Sequence, residues 1–334
     1  MKICIAGFGS IGRRHFRNLL ALGEKDILLY RTHHSTLPED EIAQIPVETD
    51  FQRVLYQKPD AVIVANPTAL HMKVAIPAAS AGCHLFMEKP ISDDLTQVEE
   101  LRRVANKSGA KILIGFQFRH HPGLQRIKQS LTQDEIGQVV SFSCRWGEYL
   151  PDWHPWEDYR KSYAARKELG GGVVNTLSHP LDYLAWLFGE IDAVQASTRH
   201  ASDLELEVED TADAILKFSH GLTGSLHLDY LQRPAQHSLE IVGMQGTLRW
   251  NNQDGHVQRF QVEKGIWERL AISETFDRND MFLDEMRHFL AVCHGQVEPG
   301  CKLEDGILAQ QLALAIHRSS AEKRQVSLSE ITTL

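Results

Sequence analysis

His179 stands between an amide and a carboxylate in the stretch Gly170-Gly171-Gly172-Val173-Val174-Asn175-Thr176-Leu177-Ser178-His179-Pro180-Leu181-Asp182. Pro180 would break a helix interior but is tolerated in a first turn. The helix is therefore expected to begin near 177–179, with Asn175 or Ser178 as its N-cap. His179 then lies close to a helix N-terminus, where the dipole disfavours the imidazolium and lowers its pKa. A neutral imidazole is the form that can take a proton from an alcohol. Asp182, one turn on, is placed to orient that ring or to bind a substrate hydroxyl. Asn175 can hold a hydroxyl but cannot accept a proton.

Lys89, in Glu88-Lys89-Pro90, follows the apolar run 84–87. A lysine at the carboxyl end of a parallel strand can polarise a carbonyl or hold an alkoxide, while the hydride itself is carried by a cofactor. The alternative for Glu88 and Lys89 is a surface ion pair. A third group, Gly7-Phe8-Gly9-Ser10-Ile11-Gly12, follows a short apolar strand at 2–6 and opens a helical pattern that runs to Gly23. In that context the glycines serve a dinucleotide: Gly7 the tight turn, Gly9 a close approach to pyrophosphate, Gly12 the packing of helix on strand. The helix start adds N–H groups and a positive dipole end.

Cofactor choice turns on the end of the second strand, Tyr30-Arg31-Thr32-His33-His34-Ser35, which has no carboxylate before Glu39. Arg31 there can pair with a 2′-phosphate and stack on adenine, and Thr32 and Ser35 can add hydrogen bonds. NADP(H) is expected over NAD(H). The alternative is that Arg31 points into solvent.

The elements that must position these groups are legible in outline. Apolar strands at 26–31, 61–65, 84–87 and 112–116 alternate with helical stretches at 69–79 and 95–108. This rhythm predicts a doubly wound parallel sheet, an α/β Rossmann domain over 1–119, with ligands at the carboxyl ends of its strands. From 120 the period changes. A helix at 123–131, long strands at 139–149 and 194–198, and hairpins at 212–230 and 239–250 predict a second α/β domain over 120–334 for substrate binding and oligomerisation. Its last helix, 303–321, is expected to pack back toward the first domain. Ser225, His227 and Asp229 alternate with Leu226, Leu228 and Tyr230, which implies a sheet with one wet face; such a face commonly packs on another subunit. The aromatic, proline-interrupted loop 148–163 reads as a substrate lid. Trp153 and Tyr163 offer faces for a sugar ring, and Arg160, Lys161 and Arg166 can meet a phosphate or carboxylate. An anionic or nucleotide-linked sugar derivative is one reading; a packed loop with a solvated basic edge is the other.

Composition narrows the class. A chain of 334 residues suggests two domains. No apolar run nears a membrane span, and a net charge of -9 argues against nucleic acid. Five scattered cysteines without a CxxC pair fit a reducing cytoplasm rather than disulfides or zinc. The adjacent pairs His33-His34 and His120-His121 are unsuited to chelating one metal, so none is expected.

Glu88-Lys89-Pro90 together with Gly7–His15 resembles the glucose-fructose oxidoreductase / inositol dehydrogenase family (Gfo/Idh/MocA). So do Asn66-Pro67-Thr68 with His71, Gly115-Phe116-Gln117-Phe118-Arg119, the Gly170–Asp182 stretch, Glu209-Asp210-Thr211 and Leu303-Glu304-Asp305-Gly306. The resemblance spans essentially the whole chain. It implies a Rossmann domain followed by an α/β domain on a large, mostly antiparallel sheet, assembled as homodimers or homotetramers. It further implies nicotinamide-linked alcohol–carbonyl interconversion on a sugar, cyclitol or similar carbinol. By the same resemblance Lys89 lies near the reacting oxygen and Glu88 near the nicotinamide ribose, and the peptide before Pro90 has unusual geometry. Asn66, Pro67, Thr68, His71 and Gln117 join the cofactor-binding set, and Arg119 the substrate-binding set. Asn175 aligns where many members carry aspartate, which leaves His179 and Lys89 to carry the interconversion. Two other classes stay open: a non-catalytic sensor of nucleotide and sugar, and a redox-neutral hydrolase or epimerase that uses bound cofactor transiently.

Overall fold

The computed structural model describes residues 1–31, 42, 44–155, 158–253, 255–272 and 276–332. They form two compact units. One comprises Met1–Gln117 and Arg278–Gln310, and the other Phe118–Asp277 and Gln311–Thr332.

The first unit starts with β1 (Ile3–Ala6), α1 (Ser10–Ala21), β2 (Ile27–Tyr30), β3 (Val47–Glu48), α2 (Phe51–Tyr56) and β4 (Ala61–Val64). It continues with α3 (His71–Ser80), β5 (His84–Glu88), α4 (Val98–Ser108) and β6 (Ile112–Gly115). The sheet order is β3-β2-β1-β4-β5-β6, parallel throughout. Every residue of β1, β4 and β6 is buried, as continuous apolar strands covered on both faces must be. Strand order reverses between β1 and β4, the place where open parallel sheets bind ligands at the carboxyl ends, and Gly7 and Asn66 follow there.

The second unit contains α5 (Pro122–Thr132), β7 (Val139–Gly147), α6 (Val173–Thr176), α7 (His179–Phe188) and β8 (Ile191–Arg199). The strands β9 (Thr211–Phe218), β10 (Thr223–Asp229), β11 (Gln236–Gly243), β12 (Gly246–Asn251), β13 (His256–Gln261) and β14 (Ile266–Leu270) follow. In the chain these are followed by α8 (Arg278–Cys293), which belongs to the first unit, α9 (Leu303–Glu322), which belongs to it as far as Gln310, and β15 (Val326–Ser327). The nine-stranded sheet runs β14-β13-β12-β11-β7-β10-β9-β8-β15, antiparallel except for β7 beside β10. Between β7 and α6 the chain takes short 3-10 turns at Leu150–Asp152, Tyr159–Lys161, Tyr163–Ala165 and Lys167–Leu169.

The partition differs from the expected break at 119/120. It falls after Gln117, and residues 278–310 return to the first unit. Specific bonds account for the return. Asn279 Nδ2 donates to Asn18 Oδ1 at 2.9 Å, Arg14 Nη1 donates to Asn279 Oδ1 at 3.1 Å, and the Phe289 ring meets Phe86 edge-on. The Ile114 amide donates to the Cys301 carbonyl, which gives edge strand β6 an outer partner. Among the described residues no helix is long and apolar enough to cross a membrane.

Candidate active site

In the first unit the candidate site is built largely from backbone. Gly7 has φ +100°, a conformation costly for other residues, and a Cβ there would stand 2.5 Å from the Asn66 nitrogen. A Cβ on Gly12 would strike the Gly7 carbonyl oxygen, so α1 can press on the turn only with glycine there. Gly9 is different: a Cβ would meet nothing within 4 Å. Its backbone is ordinary (φ -79°, ψ -162°), and no side chain caps α1 and no acidic residue occupies its first turn. An open space before a helix start with uncapped N–H groups fits the pyrophosphate of a dinucleotide, with Ser10 and Ile11 on its rim. Phe8 is buried, edge-on to Phe16 and under the Arg13 guanidinium, so only its backbone is offered.

Arg31, at the end of β2, is 4% exposed, which overturns the solvent-pointing alternative. Thr32 and Ser35 lie outside the described residues. After β4, Asn66 Nδ2 donates to the Leu70 carbonyl, Pro67 is exposed and Thr68 is buried. His71 is buried as well, and its Nε2–H donates to the Asn66 carbonyl at 2.9 Å; burial pushes its pKa down. Gln117, two residues beyond β6, is also buried.

At the end of β5 the surface Glu88–Lys89 pair is replaced by another pairing. Glu88 is buried, and its Oε1 accepts from Nε2 of the fully buried His15 at 2.6 Å. Lys89 is half-buried. Desolvation pushes its ammonium down to about 8; the Glu88 carboxylate opposes that shift and Arg278 adds to it. The Lys89–Pro90 peptide is cis. His15 was visible in the sequence beside the glycine motif, but nothing local to it announces a partner as distant as Glu88.

In the second unit the glycine run turns into α6 at Gly172 (φ +106°), whose missing side chain leaves room for the Glu209 carboxylate. Glu209 Oε1 accepts from the Val174 amide at 3.2 Å and its carbonyl from the Val173 amide, so a distant glutamate caps this helix. Of the two expected caps, Ser178 occupies the N-cap position of α7 (φ -74°, ψ -9°) but makes no side-chain cap bond, and Asn175 lies inside α6. Asn175 Nδ2 donates instead to the Gly170 and Gly171 carbonyls, both at 3.3 Å. Its Oδ1 is buried with no hydrogen-bond partner among the described residues.

His179 is the first residue of α7 and is 3% exposed. Trp146 is stacked against it (5.6 Å between ring centroids, 27°), and Phe118 is tilted over it at 4.9 Å. Asp182, one turn on, is held by a partner of its own. Arg119 Nε donates to Asp182 Oδ2 at 3.0 Å and Nη2 to Oδ1 at 2.6 Å, in a pair whose carboxylate side chain is 1% exposed. A guanidinium and a carboxylate buried together satisfy each other before any substrate arrives.

The lid residues are likewise occupied. Arg160 donates to both Asp158 oxygens at 2.8 and 3.0 Å and to Glu205 Oε2 at 3.3 Å, and Arg166 pairs with Glu168. Glu205 belongs to the alternation Glu205-Leu206-Glu207-Val208-Glu209, whose next acidic member, Glu207, accepts from the Lys167 amide. Trp153 packs edge-on against Tyr230, with its indole nitrogen buried, while Lys161 and Tyr163 are exposed. Among the described residues no group of three or more His, Cys, Asp and Glu side chains is arranged to hold a metal ion.

Known proteins match this architecture. Residues 1–116 match the oxidoreductase family with an NAD-binding Rossmann fold, and residues 124–249 match the GFO/IDH/MocA C-terminal domain. A myo-inositol 2-dehydrogenase of Thermotoga maritima is 26% identical over 99% of both chains. A dTDP-3,4-didehydro-2,6-dideoxy-alpha-D-glucose 3-reductase of Actinomadura kijaniata is 30% identical over 79% of this chain and 77% of that one. The WlbA dehydrogenase of Bordetella pertussis, solved in complex with NADH and UDP-GlcNAcA, superposes with a TM-score of 0.81 at 22% identity, covering 98% of this chain and 97% of that one. The chain belongs to the Gfo/Idh/MocA family of nicotinamide-dependent oxidoreductases acting on CH–OH groups.

Proposed function

We propose that this protein interconverts an alcohol and a carbonyl on a sugar or cyclitol, with NADP(H) preferred to NAD(H). The nicotinamide supplies the hydride step when bound. Lys89 polarises the reacting oxygen as an ammonium, His179 exchanges the proton, and Asn175 holds a substrate hydroxyl. Gly7 to Gly12 and the start of α1 hold the pyrophosphate, with Asn66, Pro67, Thr68, His71, Glu88 and Gln117 around the remainder. Arg119 and Asp182, paired with each other, stiffen the helix that carries His179 and are retained as substrate contacts. The preference for NADP(H) rests on Arg31 and on the absence of a carboxylate near the end of β2.

The observation that carries this reading is Lys89, a lysine at a strand's carboxyl end whose pKa of about 8 keeps both protonation states within reach of neutral pH. Carbonyl reduction needs the ammonium, so its rate is expected to fall as pH rises through about 8, and Lys89→Met to abolish that limb. Lys89→Met and His179→Ala should each lower kcat by roughly 10²–10⁴-fold while nucleotide affinity is retained. Full turnover in either variant, on a substrate that the wild type reduces, sinks the reading.

A nucleotide-linked or otherwise anionic sugar is a second reading. It is favoured by the dTDP-sugar named for one relative and the UDP-GlcNAcA held by another. Against it stand the carboxylates already on Arg160 and Arg166. Exposed Ile215, Val242, Ile266 and Trp267 on the long sheet support assembly as a homodimer or homotetramer.

A further inference from the structure

Trp146 was not singled out by any motif, yet it touches the group proposed to move the proton. It lies on β7, and His237 is its direct partner across the antiparallel pairing with β11. The two rings are 4.2 Å apart and 3° from parallel, a cross-strand stack. The indole N–H donates to Glu148 Oε1 at 2.8 Å, which fixes the rotation of the ring. His237 is tied in turn: its Nε2 lies 3.0 Å from Tyr183 Oη, which lies 2.9 Å from Cys144 Sγ, two residues before Trp146.

Tyr183 and His179 are four residues apart on α7 and therefore share a helix face. That face meets the sheet at two points, Tyr183 on His237 by a hydrogen bond and His179 on Trp146 by stacking. The last torsion of a histidine, between sp³ and sp² atoms, is broad and easily turned. A proton-exchanging nitrogen needs the opposite, a direction held within a narrow range.

We infer that Trp146, clamped by His237 and Glu148, is the positioning residue that fixes the ring plane of His179. The inference rests on the reading of His179 as the proton-exchanging group.

The test compares Trp146→Leu, Trp146→Phe and His179→Ala in the full-length protein, with steady-state kinetics and NMR of selectively labelled histidine. Trp146→Leu should lower kcat by about 10–100-fold, with the KM for nucleotide unchanged, and broaden the His179 ring signals. Trp146→Phe keeps an aromatic face and should recover kcat to within about threefold of wild type. If Trp146→Leu does not fold, His237→Gln takes its place: it keeps a polar group near Tyr183, removes the stack, and should show the same fall in kcat and the same broadening. Unchanged kcat with unchanged ring signals in a folded variant overturns the inference, as does a loss confined to melting temperature. Should His179→Ala retain turnover, the reading of His179 falls, and the ring signals still decide whether Trp146 holds the imidazole.

Discussion

Gly9 and Asn175 are both placed by the reading against a ligand, and they are prepared for it in different ways. Gly9 leaves a space: a Cβ there meets nothing within 4 Å, and the amides of an uncapped helix start lie beside it. Asn175 is gripped, with its amide on two carbonyls and one buried oxygen left over. The same contrast runs through both units. The nucleotide half uses backbone donors, which cost no side-chain ordering. In the second unit the proposed site uses side chains ordered by one another, as Arg119 is by Asp182 and His179 by Trp146. A backbone site tolerates changes that leave the turn alone, whereas a side-chain site fails when a distant support is removed.

The largest expected effect separates two glycines of one motif. Gly12→Ala drives a methyl into the Gly7 carbonyl, a backbone atom in a turn that cannot yield cheaply. It should destabilise the protein by roughly 1–3 kcal/mol in thermal or denaturant unfolding, and nucleotide binding should be lost with it. Gly9→Ala should leave unfolding unchanged to within about 0.5 kcal/mol, since both its space and its dihedrals accept alanine. Its nucleotide Kd should nevertheless rise by about tenfold or more, because the methyl stands where the pyrophosphate approaches. Wild-type affinity in Gly9→Ala would remove the cradle from the first unit and break the comparison.

That contrast also decides what the sequence could reveal. Backbone sites are written locally: a glycine spacing after an apolar strand identifies the turn, and Pro180 placed the start of α7 within a residue or two. The parallel sheet was legible because buried strands are continuously apolar. Side-chain sites are written in pairings that no local period encodes. His15 finds Glu88 73 positions away and Arg119 finds Asp182 63 positions away. His237 meets Trp146 through strand register alone. The hairpin of β13 and β14 carries no clear period for a related reason: with Arg259, Gln261, Trp267 and Arg269 partly or fully exposed, its alternation is weak. Residues 278–310 follow the second domain's strands in sequence, so only a return of the last helix, 303–321, is expected, while packing on α1 and β6 gathers the segment from 278 to 310 into the first unit.

The middle-sized effect concerns Asn175. Two carbonyl oxygens face its amide, so only an N–H donor satisfies them, and the assignment of nitrogen and oxygen follows from chemistry. In Asn175→Asp a carboxylate would face the same two carbonyls, and the site would favour the protonated acid. A folded-state pKa raised above the unfolded value means that any stability from this group is full at low pH and lost as pH rises through the folded pKa. Activity should follow that loss, with kcat/KM relative to wild type falling about tenfold between pH 6 and pH 8. A proton-accepting aspartate would do the reverse and gain activity as it ionised. A gain with rising pH would therefore show that the collar does not hold the amide.

The smallest effect is expected at Arg160, and it tests whether the charges of the substrate half are spent. Asp158 binds the guanidinium through both oxygens, Glu205 binds it from across the loop, and Arg160 in turn holds the Asp158 carboxyl below its usual range. An incoming sugar phosphate or carboxylate would have to displace two carboxylates to gain one guanidinium. An exposed pair exchanged for another exposed pair gains little, and salt screens what remains. Arg160→Ala should therefore change the KM for anionic and neutral sugars alike by less than about twofold. A rise selective for anionic substrates, by about tenfold and diminishing in high salt, would mean that the lid releases its own carboxylates on binding. Specificity would then lie in the exchange of ion pairs at 158–169, and the rigid wall around His179 would serve the chemistry alone.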